Sequence, residues 1–418
     1  MAIGYACKTT GVRSTSMRTC HLKDATEDRL REIIEHNLAA LNRTIDYNIE
    51  NNIRLFRISS DLIPFGSSSV NSIKWWEDFG DELKTIGQKI KGSQMRVSLH
   101  PGQYTVLNAV KSEVVKKAIA DLAYHAKILD RLGLDATHKI VLHIGGAYQD
   151  KKASTKRFLA NYGLLDESIK RRLVIENDDK IYNIKDALDI SLRLKIPIIF
   201  DNLHHEINPA GKEKDEYAWI TLCKKTWQKQ DGKQKIHYAQ QAKEKQKGSH
   251  ADTIRLDPFL AFYRRINRDD LDIMLEVKDK NLSCVKCINC TTDDLDQAIL
   301  AQEWRRYKYT VLERAPALYT VIRKGFATGA GLSPVSFYKL IEESLESPGD
   351  IGSHTKAFQQ VWRSFYKVAT EKEKKTFQRN LESYQKQQVG IDKVKKQLKK
   401  LAEKYKQEYL TDSYYFLW

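Results

Sequence analysis

Short apolar segments and longer amphipathic stretches alternate along roughly the first 280 residues of the chain. Apolar residues recur at helical spacing over 27–51, 113–132 and 184–194, which predicts helices there. Between the helical stretches, short apolar runs that end in polar residues predict eight strands: 3–7, 54–58, 95–99, 139–143, 173–175, 196–200, 235–238 and 272–276. Repeated strand–helix alternation implies parallel strands, and eight such units favour a closed (β/α)8 TIM barrel over an open sheet. The lysine-rich stretch 240–252 predicts a loop in place of a barrel helix.

The pattern changes beyond about residue 295, where the strand signals vanish. Apolar periodicity interrupted by Gly and Pro predicts helices in this region: 304–324, 334–346, 354–368 and 372–409. Residues 301–418 contain 22 Lys and Arg against 13 Asp and Glu, a difference of 9 positive charges. The sequence therefore predicts two domains, a barrel over 1–294 and a basic all-α C-terminal domain over 295–418.

The 418 residues carry a formal net charge of +16. Such an excess favours a polyanionic partner, and nucleic acid is the first candidate, although lysine enrichment also serves solubility. No apolar run approaches the roughly 20 residues that a membrane helix needs, and the N-terminus lacks the pattern of a secretory signal. We therefore expect a cytoplasmic bacterial protein that associates with the nucleoid and has no membrane partner.

The cysteines of the chain form one local cluster. Six cysteines are too few for a disulfide framework in a chain of this size. Cys284, Cys287 and Cys290 form a C-x-x-C-x-x-C run, which can bind a metal ion or an iron–sulfur cluster. No clear fourth ligand accompanies this run, so free thiols are the favoured interpretation.

Imidazole and carboxylate side chains stand at the ends of six successive predicted strands. The strand-end residues are His100, His143, Glu176, Asp201, His237 and Glu276, and His204 and His250 follow in adjoining segments. A single strand-end histidine is more often a hydrogen-bonded structural residue. However, the carboxyl ends of parallel barrel strands converge on one mouth, where the active sites of this fold lie. Imidazoles and carboxylates gathered there are the ligands that divalent transition metals require.

Eight candidate ligands are too many for one ion, so two or three divalent ions are expected. Clustered ions suit phosphoester cleavage, because they lower the pKa of a bound water and neutralise charge on the phosphate. A mixed nitrogen and oxygen ligand set without a strand-end thiolate favours Mn²⁺ or Zn²⁺. Together with the positive charge of the chain, these residues predict a metal-dependent enzyme that cuts a nucleic-acid backbone.

Several motifs resemble those of one known family. They are GYAC (4–7), FRISSDLIPF (56–65), SLHPGQY (98–104), LHIGG (142–146), IENDD (175–179), FDNLHH (200–205), KIHY (235–238), GSHAD (248–252) and MLEVKDK (274–280). Over roughly residues 1–285, the chain resembles the UV damage endonucleases (UvdE), relatives of endonuclease IV among the xylose-isomerase-like TIM barrels. The C-terminal region resembles a small helical domain of unknown function.

The resemblance implies a DNA repair enzyme that nicks double-stranded DNA immediately 5′ to UV photoproducts such as pyrimidine dimers. The cut is expected to proceed by metal-activated water attack and to leave a 3′-hydroxyl. Two to three divalent ions are implied, with Mn²⁺ first and Zn²⁺ or Mg²⁺ as alternatives, and the matching ligands are His100, His143, Glu176, Asp201, His204, His237, His250 and Glu276. His143, Glu176 and Lys235 match catalytic positions, and Lys235 matches a lysine that can be carboxylated. A monomer without an organic cofactor is expected.

The resemblance also implies residues that contact the lesion. Gln103 and Tyr104 match a pair that probes the damaged dinucleotide, and Tyr5 matches a further DNA-contacting position. An amide and an aromatic ring on a mouth loop can enter a base stack, and the alternative is a Pro-Gly turn whose tyrosine packs. Family members carry a histidine ligand after strand two where this chain has Ser68, so one ion is expected to lose a ligand, to gain a water or to bind more weakly.

Three other functions remain open at the level of sequence. The first is an abasic-site endonuclease of the endonuclease IV kind, and the second is a sugar isomerase on the same barrel, which the charge of +16 disfavours. The third is a non-catalytic protein that binds damaged DNA through a degenerate site.

Overall fold

The computed structural model describes residues 1–211, 215–327 and 331–418. In these ranges, eight parallel strands form one closed barrel in sequence order. The strands are β1 (Ile3–Ala6), β2 (Leu55–Arg57), β3 (Arg96–Leu99), β4 (Lys139–His143), β5 (Leu173–Glu176), β6 (Ile198–Asp201), β7 (Gln234–Tyr238) and β8 (Leu271–Leu275). Each of them overlaps a predicted strand, so the predicted TIM barrel is confirmed.

The barrel closes where β1 pairs with β8, with Gly4 opposite Met274. Gly4 also marks the close approach of β1 to β2, because a Cβ atom there would lie 2.1 Å from the carbonyl oxygen of Leu55. β1, β5, β6, β7 and β8 are buried along their whole length. Such burial is expected of parallel strands that have helices outside and packed side chains inside.

Helices surround the barrel strands. They are α1 (Glu27–Glu50), α2 (Trp75–Asp78), α3 (Gly80–Gly92), α4 (Ser112–Arg131), α5 (Lys151–Tyr162), α6 (Glu167–Lys170), α7 (Ile184–Leu194), α8 (Asn202–Ile207), α9 (Glu216–Lys224), α10 (Leu256–Ile266) and α11 (Asn281–Thr291). The side chain of Thr26 caps the start of α1, and a reciprocal capping box between Asn183 and Asp186 starts α7. The stretch 240–252 contains no helix, as predicted.

The C-terminal region is all-α in its described residues, as predicted. Its helices are α12 (Gln297–Arg314), α13 (Pro316–Ala327), α14 (Pro334–Glu346), α15 (Ile351–Trp362), α16 (Glu371–Gln385), α17 (Ile391–Lys404) and α18 (Glu408–Thr411). The prediction of one helix over 304–324 is wrong, because Pro316 has no amide hydrogen to donate and begins a second helix. One helix over 372–409 is also wrong, because Gln387 takes a left-handed φ of 56° and α17 begins after Gly390.

Tertiary contacts divide the chain into two compact units. The first comprises Met1–Thr10 and Ser14–Ile288, and the second comprises Gly11–Arg13 and Asn289–Trp418. This division lies within α11, before the domain boundary that the sequence predicts after residue 294. No helix in the described part of the chain is both long and apolar enough to cross a bilayer.

A buried ion pair lies within the second unit, beside a core in which Trp362 and Phe377 stack with their centroids 4.3 Å apart. The ammonium group of Lys395 lies 2.9 Å from Oε1 of Glu313 and also donates to the carbonyl of Trp418 at 2.6 Å. Burial lowers the pKa of Lys395, although the Glu313 carboxylate opposes that shift. Each charge of this pair therefore depends on the other for compensation.

We predict that Lys395→Met lowers the free energy of unfolding of the second unit by about 3–5 kcal/mol, because Glu313 stays buried without its cation. The double variant Lys395→Met/Glu313→Leu should recover most of this loss. Lys396→Met, at an exposed neighbouring position, is the matched control and should have little effect. Urea denaturation of the full chain, followed by circular dichroism, measures these differences. Equal losses in the single and the double variant would contradict the assignment to this pair.

Candidate metal centre

Strand register brings the predicted ligands to one level of the barrel mouth. His143 at the end of β4 is the register partner of Glu176 at the end of β5. Asp201 at the end of β6 is in turn the partner of His237 in β7. Because all eight strands point the same way, these four side chains converge with the residues that follow β3 and β8.

Glu176 is the centre of this cluster. Its Oε1 lies 2.6 Å from Nδ1 of His237, and its Oε2 lies 3.2 Å from Nε2 of His100 and 3.7 Å from Nε2 of His143. The carboxylate is 1% exposed. Burial raises the pKa of Glu176, but the surrounding histidines outweigh burial and hold this pKa well below its ordinary value. The carboxyl group is therefore an anion at neutral pH.

Two groups of potential ligands share Glu176. The ligand atoms of each group lie within 4.8 Å of one another: His100, His143 and Glu176 in one, and Glu176, Asp201, His237 and Glu276 in the other. Among the described residues, three buried atoms of these side chains have no hydrogen-bond partner: Nδ1 of His143, Oδ2 of Asp201 and Nε2 of His237. Open lone pairs on buried imidazole and carboxylate groups fit divalent metal ions well.

Local structure explains how Asp201 keeps one oxygen open. It caps α8, and its Oδ1 accepts a hydrogen bond of 2.7 Å from the amide of His204. The capping bond uses one oxygen and leaves Oδ2 for another partner. Burial raises the pKa of Asp201 to about 6.

His204 and His250 adjoin the two groups without belonging to them. Nδ1 of His204 donates to the carbonyl of Asn177 at 2.9 Å and lies 3.7 Å from Oδ1 of Asp201. Nε2 of His250 lies 3.7 Å from Oε2 of Glu276, in a loop that a bridge from Gln241 anchors. Both predicted residues therefore lie at the mouth, at the edge of the cluster.

Two further residues of the site do not appear in the sequence prediction. Arg57 in β2 is buried, and its guanidinium lies 2.7 Å from Oε1 of Glu276. Burial raises the pKa of Glu276, but Arg57 and His237 hold it far below its ordinary value. Asn177 donates to the carbonyl and accepts from the amide of Asp201, which ties β5 to β6. A charged residue inside an otherwise apolar strand was the available signal for Arg57.

Lys235 in β7 is fully buried. Its ammonium nitrogen has no hydrogen-bond partner within the described ranges. Burial, followed by the charges of Arg96 and Arg57, lowers the pKa of Lys235 far below its ordinary value. The environment of Lys235 therefore favours the neutral amine over the charged ammonium form.

The residues predicted to contact the lesion do not lie together. Gln103 and Tyr104 are exposed and line a cavity of about 1240 Å³, whose walls also include His143 and His204. Tyr104 is 83% exposed, so its ring does not pack in the core. Tyr5 is instead fully buried, and its hydroxyl donates to Asn48 at 2.8 Å. The side chain of Tyr5 lies in the barrel packing, and its contact with DNA stays a prediction.

Ser68 and the cysteine run lie outside the cluster. Ser68 stands in a turn, where its hydroxyl accepts from the amide of Val70 at 3.3 Å. None of the six cysteines forms a disulfide, and Cys284 and Cys287 are buried within α11. No group of potential metal ligands in the described ranges includes a cysteine.

The anions of the cluster also act on His204. Burial lowers the pKa of His204, but Asp201, Glu176 and Glu276 outweigh burial and raise it to about 9. Because this pKa is above the ordinary value of 6.5, the charged imidazole stabilises the metal-free fold below pH 6.5. That contribution is lost as the pH rises through about 9.

We predict that His204 of the metal-free protein titrates near pH 9, and that Asp201→Asn moves its pKa down towards 6.5 because a neighbouring anion is removed. Asparagine is an equally good cap for α8, so the helix start is preserved. NMR titration of histidine-labelled protein measures both values. A midpoint near 6.5 in the unmodified chain would contradict this account.

Comparison with known proteins identifies the family. The model of the family described as UV-endonuclease UvdE matches residues 1–300, and that of a protein of unknown function (DUF1722) matches 308–418.

A UV DNA damage endonuclease of Clostridium perfringens is 39% identical over 406 residues, which cover 95% of this chain and 97% of that protein. One from Bacillus cereus is 34% identical over 270 residues, which cover 64% and 84%. The crystal structure of SacUVDE superposes with a TM-score of 0.65 at 38% identity, over 69% of this chain and 96% of that one. These matches confirm the predicted resemblance, and the chain belongs to the UV-endonuclease UvdE family.

Proposed function

We propose that the chain is a metal-dependent repair enzyme that nicks duplex DNA immediately 5′ to UV photoproducts and leaves a 3′-hydroxyl. Family membership makes it an endonuclease, and its relatives are named UV DNA damage endonucleases. The observation that carries the proposal is one cavity whose wall includes His143 of the ligand cluster and whose rim carries the exposed Gln103 and Tyr104. Ligands for phosphoester chemistry and residues suited to probe a base stack thus meet in one place.

The ligand cluster supports a site for at least two ions. The two groups share Glu176 and would together hold a pair of ions, and His204 and His250 lie beside them, where they would be ligands for a third. Nitrogen and oxygen ligands without thiolate favour Mn²⁺, with Zn²⁺ or Mg²⁺ as alternatives. When bound, such ions acidify a water and offset charge on the scissile phosphate and its leaving oxygen.

The protein residues prepare the cluster for the substrate. The side chain of His143 is 33% exposed, so it faces the cavity, whereas Glu176 and His237 are enclosed. Arg57 holds Glu276 through its ion pair and thereby fixes the orientation of that carboxylate. A neutral Lys235 is the form that reacts with carbon dioxide, so its lowered pKa favours the carboxylated lysine that the family resemblance implies.

We predict that His143→Ala and Glu176→Ala each reduce nicking of UV-irradiated plasmid in Mn²⁺ by more than about 100-fold. Loss of a residue that only supports a metal ligand typically costs up to about 100-fold, so loss of a ligand itself should cost more. His205→Ala is the matched control, because its ring contacts Phe200 and Trp219 and belongs to neither ligand group. Metal content after dialysis is measured in parallel and should fall in the two ligand variants.

End-labelled duplexes with one defined lesion test the cut itself. A product that ends in a 3′-hydroxyl directly 5′ to the photoproduct is expected. Cleavage of an abasic duplex but not of a photoproduct duplex would favour an abasic-site endonuclease, and binding of the photoproduct without any cut would favour a non-catalytic protein. Wild-type nicking by the Glu176→Ala variant would overturn the proposed mechanism.

The second unit is proposed to add affinity for DNA phosphates. α16 and α17 border a cavity of about 430 Å³ that is lined by Lys372, Lys400 and Lys404. Lys404 is paired with Glu373 at 2.7 Å, whereas Lys372 and Lys400 are exposed. Lysines in such a groove suit contacts that do not depend on sequence.

We predict that Lys372→Gln/Lys400→Gln weakens binding to undamaged and damaged duplexes alike. The slope of log affinity against log salt should become shallower by about 1.8, which is about 0.9 for each lost phosphate contact. Lys324→Gln/Lys356→Gln makes the same charge change at exposed positions on α13 and α15 and serves as the control. Identical slopes for both double variants would contradict a role for the groove.

A further inference from the structure

A second aromatic side chain lines the same cavity as Tyr104. Tyr148 lies in the loop between β4 and α5, five residues after His143 in the chain. Tyr148 is 45% exposed, and the residues around it, 145–147 and 149–150, are half-buried or exposed. An exposed aromatic ring that lines the same cavity as His143 is available to contact a ligand there.

The backbone of this loop is held in an unfavourable conformation. Tyr148 and Gln149, two consecutive residues with side chains, both take left-handed φ angles of 48° and 68°. Such a conformation carries a free-energy cost for residues other than glycine and persists only where the surroundings impose it. Strain of this kind is concentrated at ligand clamps and active sites.

Contacts of the residues that precede Tyr148 hold the loop in this conformation. Gly145 has φ of 106°, and a Cβ atom there would lie 2.4 Å from Oδ1 of Asn108. The side chain of Asn108 donates to the carbonyl of Gly146 at 2.8 Å. Ser154 of α5 donates to the carbonyl of Ala147 at 2.6 Å. The chain is therefore anchored on each of the residues that lead up to Tyr148.

The ring of Tyr148 is positioned as firmly as its backbone. It lies over Gly146, where a Cβ atom would come within 3.4 Å of a ring carbon. The guanidinium of Arg157 lies over the ring, 5.5 Å from its centroid. Arg157 is itself fixed by hydrogen bonds to the carbonyl of Asn108 and the hydroxyl of Ser154. The ring thus loses little conformational freedom when a ligand covers it, which favours binding.

We propose that Tyr148 is a binding residue whose ring stacks on a nucleobase displaced from the helix at the lesion. This inference rests on the proposed function and adds a second aromatic contact to the one expected of Tyr104. A planar base matches the flat, exposed ring, and stacking on tyrosine tolerates every base because each has a π face. The cavity also offers Lys180 at its edge for the attached phosphate.

The test measures binding and cleavage separately in the full chain. Tyr148→Leu should weaken binding of a single-photoproduct duplex by about 5-fold to 150-fold, the range for loss of one stacked base. The single-turnover rate at saturating DNA should change little. Tyr148→Phe keeps the ring and should retain affinity. Tyr366→Leu removes a tyrosine of the second unit that is more exposed, at 61%, and is the control.

Two DNA designs identify the stacked base. In the first, the bases opposite the photoproduct are present, and in the second, abasic sites replace them. If Tyr148→Leu still weakens binding to the second duplex, Tyr148 stacks on a base of the lesion. If the variant no longer weakens binding there, Tyr148 stacks on a base opposite the lesion. 2-Aminopurine at the assigned opposite position, or beside the lesion, should be quenched by the unmodified chain and less by Tyr148→Leu.

The outcomes separate this inference from the proposed function. If the unmodified chain does not nick the photoproduct duplex, the proposed function fails. If it does, and Tyr148→Leu binds as tightly as the unmodified chain, only the role of Tyr148 is overturned. Equal weakening by the Phe and Leu variants, or equal weakening on undamaged DNA, would also overturn stacking as the cause.

Discussion

The buried carboxylate of Glu176 imposes the main constraint on the mouth of the barrel. An anion that is 1% exposed must be surrounded by compensating groups, because burial of an uncompensated charge is strongly unfavourable. Register places His143 beside it on β4, and the closed sheet brings His100 and His237 to its two oxygens. Closure of the eight-stranded sheet, which forms the core, therefore also brings the potential ligands together at one end of the barrel. The arrangement of the site depends on this closure.

Two buried basic residues near this anion show how the contacts of a side chain affect whether it is charged. Arg57 has an ion pair of 2.7 Å with Glu276, and a guanidinium stays charged even when buried. Lys235 is equally enclosed, but burial and the nearby arginines lower its pKa far below the ordinary value. Arg57 therefore contributes a fixed positive charge to the mouth, whereas the environment of Lys235 favours its neutral form. The two residues lie on β2 and β7 of the same closed barrel.

The repeated strand–helix units could be predicted from the sequence. Features that depend on contacts with residues far away in the chain could not. The eight strands and their end residues follow from apolar runs and strand polarity, so the barrel and the ligand cluster could be predicted. The turn at Gln387 was hidden because lysine-rich helical spacing continues on both sides of it. Arg57 was missed because its role comes from Glu276, which is 219 residues away in the chain (276 − 57). The burial of Tyr5 could not be predicted, because exposure at a strand end depends on packing, here against Asn48.

The presence of Ser68 in place of the expected histidine has little effect on the two ligand groups, because Ser68 lies in a turn. It belongs to a turn after β2 whose hydroxyl bonds locally to Val70, so it is not part of the strand-end set. The two ligand groups that share Glu176 come from the ends of β3 to β8 and do not require a side chain from this turn. A histidine missing there removes a ligand from the rim, whereas the buried anion and its imidazoles remain. The buried set of potential ligands is therefore independent of this rim position, and the loops that carry Tyr104 and Tyr148 could change without altering that set.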